Sequence, residues 1–191
     1  MSAKDALRRI VRDRRKVIFA SERSAFSSSI CAHIRASIVW VQSDLVLTYV
    51  PVGSEVDVLP LAVAAIDAGK RAGIPRTEGD VLSFDEVDSE ALASLVPGAF
   101  AVPVLAVPRT IVPTSRTLLL VPLLAFDASG RRLGSGRGFY DRYLKTFPGT
   151  SVGEAYAVQE VEAVPVEAHD VALGVVVTEA GWRTAVSIGP N

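Results

Sequence analysis

Between Arg131 and Leu144 the chain reads RRLGSGRGFYDRYL. Gly134, Gly136 and Gly138 stand at every second position, Arg131, Arg132 and Arg137 stand among them, and Asp141 follows an aromatic pair. Alternate glycines remove every second Cβ, which frees the backbone to take positive φ and lets a ligand approach the amides. Amides converging on one point, with guanidinium groups beside them, hold phosphate. A helix opening directly behind such a loop adds its first unpaired amides and the positive end of its dipole. The string is not a Walker loop, because no Gly-Lys-Ser or Gly-Lys-Thr ending is present. It is not a dinucleotide fingerprint either, because Phe139 stands where the third glycine belongs. A flexible connection with solvated arginines fits the same string equally well, so the surrounding chain must decide.

The elements that must position this loop alternate between short apolar strands and helices. Leu7, Ile10, Val11, Ile18 and Phe19 recur near helical spacing from Ala3 to about Ala20, with arginines filling the other face. A second helix is predicted from Phe26 to Val41, with Ser24 as a candidate cap. Leu45 to Val50 reads as a buried strand, a helix follows from about Val56 or Asp57 to Asp67, and residues 70 to 75 supply a parallel neighbour. A helix from Phe84 to Leu95 is predicted next. Pro103, Pro108 and Pro113 then forbid a long regular element between Ala99 and Ser115. TLLLVPLLAF is the most apolar strand, turned at Asp127 to Gly130. Tyr140, Tyr143, Leu144 and Phe147 mark a helix from Phe139 to Phe147, and GEAYAV and ALGVVVTE complete the series as strands. Near-continuous apolar strands separated by helices predict an α/β fold: a mostly parallel, Rossmann-like sheet with helices on both faces, three layers in one domain over residues 1–191.

Composition narrows the function. Hydrophobic residues make up 49% of the 191-residue chain, and 20 basic residues nearly balance 21 acidic ones. No global field draws the protein to nucleic acid or an anionic membrane, so an anion must be met locally. The longest apolar run, Leu118 to Phe126, is less than half the ~20 residues of a spanning helix, so no membrane partner is expected. Cys31 is the only cysteine, which excludes an internal disulfide and fits a reducing compartment, with cytoplasm as the expectation. The basic N-terminal run raises the question of a transit peptide, against which Asp5, Asp13 and Glu22 count.

The run VPLLAFDASGRRLGSGRGFYDRYL closely resembles the signature of the 5-formyltetrahydrofolate cyclo-ligase (5,10-methenyltetrahydrofolate synthetase) family. KDALR, YVPVGSEVD, GK, QEV, VP, HD and TE match further family segments in order, so the resemblance covers nearly the whole chain and is weakest from 76 to 116. It implies an enzyme that uses ATP and Mg²⁺ to convert 5-formyltetrahydrofolate to 5,10-methenyltetrahydrofolate, releasing ADP and phosphate. The expected architecture is similar to the NagB/RpiA/CoA-transferase arrangement, and the expected state is a monomer or weak homodimer.

By the same resemblance Lys4 and Arg8 reach ATP phosphates. Arg132, Leu133, Gly134, Ser135, Gly136, Arg137, Gly138, Phe139 and Tyr140 form the nucleotide loop, with Arg132, Arg137 and Tyr140 as the catalytic set. Asp141 and Asp170 are the Mg²⁺ ligands, and Val52, Glu55 and Asp57 contact folate. The residues themselves leave competing readings open: a solvated basic helix face for Lys4 and Arg8, a first-turn carboxylate for Asp141, a turn residue for Asp170, and a helix cap for Asp57. His33 reads as a packed histidine, His169 is left without a chemical role, and Cys31 reads as a small buried hydrophobe.

The chain departs from the family pattern in four places. Arg137 replaces a common lysine, Phe139 replaces the first tyrosine of a pair, Val102 precedes Pro103 where glutamate is usual, and Arg116-Thr117 stand where an aspartate opens the strand. These changes keep a second hypothesis in view, a diverged nucleotide- or folate-binding regulatory member. A third, a sugar-phosphate or CoA-type protein, rests on fold analogy alone.

Overall fold

The computed structural model describes residues 2–186. Ser2 opens α1 (Ala3–Lys16), its Oγ accepting the Asp5 amide at 3.1 Å. Asp5 in the first turn and Arg14, Arg15 and Lys16 in the last complement the helix dipole. α2 (Ala20–Arg35) begins six residues before the predicted start, because the Glu22 carboxylate accepts the Phe19 amide at 2.9 Å and stabilises an earlier turn; Ser24 lies inside it. Ser37 interrupts the predicted continuation to Val41. Its Oγ donates to the Ile34 carbonyl at 2.6 Å and accepts the Trp40 amide at 3.3 Å, which starts the separate α3 (Ile38–Gln42).

β1 (Leu45–Leu47), α4 (Leu59–Asp67) and β2 (Arg71–Glu78) form the expected parallel unit. The helix predicted over 84–95 is instead β3 (Val81–Val87), antiparallel to β2 across a tight Gly79-Asp80 turn in which Gly79 takes φ +55°. Only α5 (Ser89–Ala93), capped by Asp88, remains of it. The buried Asp85 carboxylate ties the proline-spaced connection to β3 by accepting the Arg109 amide at 3.1 Å.

β4 (Thr117–Pro122) is fully apolar after Thr117 and alternates across the sheet. Leu118 and Leu120 pack with Ile30, Ile34, Trp40 and Leu61 of α2, α3 and α4, whereas Leu119 and Val121 face Leu45, Leu47 and Phe84. The aromatic residues of α6 (Phe139–Leu144) cover that second face, and this is the physical basis of three layers. β7 (Thr150–Glu154), β8 (Val175–Thr178) and a further strand missed in the sequence, β9 (Gly181–Thr184), complete the sheet.

The strand order is β3-β2-β1-β4-β7-β8-β9, with the five central strands parallel and β3 and β9 antiparallel at the edges. From β1 the chain moves to β2 on one side and returns as β4 on the other. The sheet therefore switches direction between β1 and β4, and the carboxyl ends of those two strands frame a crevice. A two-stranded hairpin of β5 (Ala125–Phe126) and β6 (Arg132–Leu133) stands above it and packs through Ala125 and Leu133 against Val11 of α1.

Candidate functional site

A cavity of about 680 Å³ opens at this switch point, within the range of small-molecule sites. Tyr49, Val50, Val52 and Glu55 line it from the segment after β1, and Pro122, Leu123 and Leu124 from the end of β4. Its remaining walls come from α1, the β2–β3 hairpin, the 99–104 connection, residues 132–141 and the 167–170 segment, so segments far apart in sequence meet at one place.

Asp127 delivers the glycine loop to this cavity. One of its oxygens accepts the amides of Ser129 (2.9 Å) and Arg131 (3.2 Å), and the other accepts that of Val164 (2.9 Å). Gly130, at φ +73°, passes so close to the Leu173 carbonyl that a Cβ would lie 2.0 Å from it. The hairpin is thus fixed, and residues 134–138 emerge from it along the cavity wall. Gly136 takes φ +103° and Gly138 φ +68°, the conformations that alternating glycines were expected to supply, whereas Gly134 does not need positive φ. The six-residue α6 has little macrodipole to offer, so anion binding here rests on loop amides and cations more than on a helix end.

α1 presents Lys4, Arg8, Arg12 and Arg15 to the cavity, one stripe at helical spacing. Arg8 Nε donates to the Gly134 carbonyl at 3.1 Å and so ties helix to loop. Arg12 and Arg15 were missed in the sequence, although the 4, 8, 12, 15 spacing was available. Arg15 is 6% exposed, its Nε donates to Ser54 Oγ at 3.0 Å, and burial pulls its pKa down.

Both expected metal carboxylates line the cavity. Asp141 Oδ1 accepts the Val171 amide at 3.1 Å and pairs with Arg132 Nη2 at 2.9 Å; Asp170 Oδ2 accepts Lys4 Nζ at 2.6 Å and the Glu167 amide at 2.7 Å. Burial raises the Asp170 pKa, but the Lys4 ammonium and the Glu167 amide outweigh it and hold the carboxyl below its usual value. Asp141 Oδ2 makes no hydrogen bond among the described residues, and Asp170 Oδ1 faces His169 Nε2 at 3.8 Å, in a group of Glu167, His169 and Asp170 ligand atoms that lie within 4.8 Å of one another. Carboxylates are the donor type magnesium takes, one or two from the protein with phosphate and water completing the shell. His169 lies beside them, exposed, 3.4 Å from Glu167.

Three expected site residues are engaged elsewhere. Arg132 reaches the cavity wall, but its side chain is 4% exposed and its two terminal nitrogens serve Asp141 and the Val171 carbonyl, which makes it a support for Asp141. Leu133 borders the cavity, but its side chain packs with Val11, Ala125 and Val164. Asp57 is absent from the cavity wall; its Oδ1 accepts the Leu59 amide at 3.1 Å in a turn just before α4, whose N-cap is Val58. Val52 and Glu55 do line the cavity. Glu55 Oε2 accepts the Val52 amide at 2.9 Å, and burial pushes the Glu55 carboxyl up against the opposing pull of Arg15.

Arg137 carries the loop's available charge. Its guanidinium stacks 3.7 Å from the ring centroid of Phe100, which neighbours Phe139 at 6.0 Å. Phe100 holds φ +57°, a strained conformation for a residue with a Cβ, and belongs to the proline-spaced connection in which no sequence pattern marked a site. Tyr140 lines the cavity with a buried hydroxyl that has no hydrogen-bond partner among the described residues. His33 lies outside, half-buried, with Nε2 3.4 Å from the Glu179 carbonyl. Cys31 is buried, and loss of solvent around it pushes its thiol up to about 12.

The sequence profile of the 5-formyltetrahydrofolate cyclo-ligase family matches residues 1–179. The chain belongs to this family. It is 32% identical over 178 residues to the 5-formyltetrahydrofolate cyclo-ligase of Escherichia coli, a match covering 88% of this chain and 96% of that protein. The solution structure of Aquifex aeolicus 5,10-methenyltetrahydrofolate synthetase superposes with a TM-score of 0.83 at 32% identity, covering 100% of this chain and 96% of that one. The Mycoplasma pneumoniae 5,10-methenyltetrahydrofolate synthetase shares the fold, with a TM-score of 0.75 at 22% identity over 93% of this chain and 99% of that one. The cyclo-ligase family is thus a family of ligases, and the cavity at the β1–β4 switch point is its candidate active site in this chain. No helix among the described residues is long and apolar enough to cross a membrane.

Proposed function

We propose that the cavity binds 5-formyltetrahydrofolate against the segment after β1 and ATP against the glycine loop, and cyclises the folate at the expense of ATP. The observation that carries this reading is the convergence of the 134–138 loop, Arg8 and Arg137 with two carboxylates on one cavity. In the reaction the formyl oxygen attacks the γ-phosphorus and the bond to ADP breaks. N10 then attacks the formyl carbon, forming the ring C–N bond, and the C–O bond breaks as phosphate leaves with the former formyl oxygen while the N10 proton passes to the departing phosphate or to water. Both steps are positioning and charge problems.

Arg137, with no acidic partner among the described residues, supplies positive charge to the transferring phosphoryl group. Arg8 and the loop amides hold the phosphate chain, and Val52 and Glu55 meet the folate. Asp141, set by Arg132, and Asp170, set by Lys4, would hold Mg²⁺, which when bound neutralises phosphate charge. The lone, buried Cys31 suits a cytoplasmic setting.

The test is stoichiometry and isotope fate. One ADP should form per methenyl product, chelation of Mg²⁺ should stop both, and ¹⁸O placed in the formyl group should appear in inorganic phosphate. Label retained elsewhere would overturn the phosphorylation step, and turnover unchanged by chelation would remove the magnesium assignment.

A further inference from the structure

Arg137 is held without being neutralised. Lys4, Arg8 and Arg132, which stand around the glycine loop, each meet a carboxylate: Asp170 at 2.6 Å, Asp5 at 2.7 Å and Asp141 at 2.9 Å. Arg137 meets none among the described residues, and its Cζ lies 3.7 Å from the ring centroid of Phe100 instead. A carboxylate would cancel the charge and occupy N–H donors of the guanidinium. An aromatic face attracts the cation through its quadrupole and leaves charge and donors for a ligand. A planar guanidinium stacks on such a face where a compact ammonium does not, which gives arginine rather than lysine a purpose at this position.

The stack is anchored outside the loop. Phe100 and Phe139 have ring centroids 6.0 Å apart, and the Arg142 guanidinium lies 5.3 Å from the Phe139 centroid. Arg142 donates from Nε and Nη2 to the Asp80 carbonyl, at 3.1 and 2.9 Å, in the turn between β2 and β3. From Nη1 it donates to the carbonyl of Arg137 itself at 3.2 Å. Arg142 therefore ties the backbone of Arg137 to the sheet while Phe100 ties its side chain. Phe100 takes this place under strain: it and Ala101 hold φ +57° and +61°, two consecutive residues with a Cβ in the left-handed region. Its side of the cavity wall leaves it 48% exposed, so burial of the ring does not account for the conformation. Strain of this kind persists where the surroundings impose it, and it gathers at ligand-binding and catalytic positions.

We propose that Phe100 is a positioning residue for phosphoryl transfer: its ring holds the Arg137 guanidinium at the cavity wall with charge and donors free for the transferring group. The inference rests on the functional reading above. Wild-type turnover is therefore measured first. Its absence would overturn that reading and this inference together, whereas turnover indifferent to the ring would overturn the inference alone.

Phe100→Leu keeps an apolar side chain and removes the aromatic face. It should lower the single-turnover rate of ADP formation about 3- to 30-fold, the loss of one cation–ring contact. The folate and ATP KM should stay within about twofold, and the unfolding temperature should hardly change, because the side chain is half exposed. Phe100→Tyr keeps the ring and should retain at least about a third of the wild-type rate. Arg137→Gln should slow the step at least as much as Phe100→Leu, and combining the two should cost less than a further twofold, because the ring then has no cation to hold. A ring that stacked on the adenine or on the folate heterocycle would instead raise the KM for that ligand, and the losses would multiply in the double variant; either result would overturn the proposal. So would a folded Phe100→Leu enzyme with the wild-type rate, or a Phe100→Tyr enzyme as slow as Phe100→Leu.

Discussion

Gly136→Ala tests the loop directly. Gly136 lies at φ +103°, where a residue bearing a Cβ is strained by about 1–3 kcal/mol. The added carbon would stand 3.1 Å from Cζ and Nη2 of Arg8, a side chain already tethered to the Gly134 carbonyl and to Asp5. Residues 135–137 are exposed, so the loop can relieve this strain locally without unfolding the sheet. The conformation that holds phosphate then becomes less populated, and the apparent ATP affinity falls by that fraction. At ~1.4 kcal/mol per factor of ten, the ATP KM should rise about 5- to 150-fold, with the folate KM and the unfolding temperature nearly unchanged. Initial rates against ATP at saturating folate, with calorimetric nucleotide titration, measure it. Gly134→Ala is the companion, because its Cβ meets nothing within 4 Å and its φ is ordinary, so any loss there reports ligand approach rather than backbone strain. A folded Gly136→Ala enzyme with wild-type ATP KM would refute the argument that this loop is the phosphate cradle.

Asp141→Asn keeps the shape but removes the charge. Mg²⁺ titration of turnover should show at least about tenfold weaker dependence, and unfolding should come earlier because the buried Arg132 loses its anion; an unchanged Mg²⁺ requirement would take Asp141 out of the metal site. Asp57→Ala removes one turn hydrogen bond and should cost about 0.5–1.5 kcal/mol in denaturant unfolding while leaving the folate KM alone, whereas a raised KM would return Asp57 to the substrate site. Glu154→Gln should alter the pH dependence of stability. Burial raises the folded-state pKa of Glu154, so between its unfolded value near ~4.3 and the folded value the native state holds the extra proton, and stability falls as pH rises, by up to about 1.4 kcal/mol per unit. Gln removes that slope, so the variant's advantage should grow with pH from about 4 upward; parallel stability profiles would show that Glu154 titrates normally.

Much of the fold could be read from the residues because its strands are short, apolar and separated by helices, but the apolar run read as one strand from Thr117 to Phe126 leaves the main sheet after Pro122, and Ala125–Phe126 pair with β6 instead. The 84–95 segment failed because Phe84, Val87, Ala91 and Leu95 imitate a helical stripe, while the deciding feature was the tight Gly79-Asp80 turn that pairs the chain back on β2. The glycine loop and Asp141 were legible because their chemistry is local. The Arg132–Asp141 pair was not legible, because a guanidinium beside a glycine loop looks the same in sequence whether it meets a ligand or the carboxylate next to it. Phe100 left no local signal, because its place on the cavity wall follows from a strained turn inside the proline-spaced connection.

The central claim is that this cavity performs ATP-driven cyclisation of a formylated folate. Near-ultraviolet absorbance of the purified protein with 5-formyltetrahydrofolate, ATP and Mg²⁺, set against an ATP-free control, tests it most directly. A methenyl product band that grows only with ATP is the predicted result; a flat trace from folded protein that binds both ligands would contradict it.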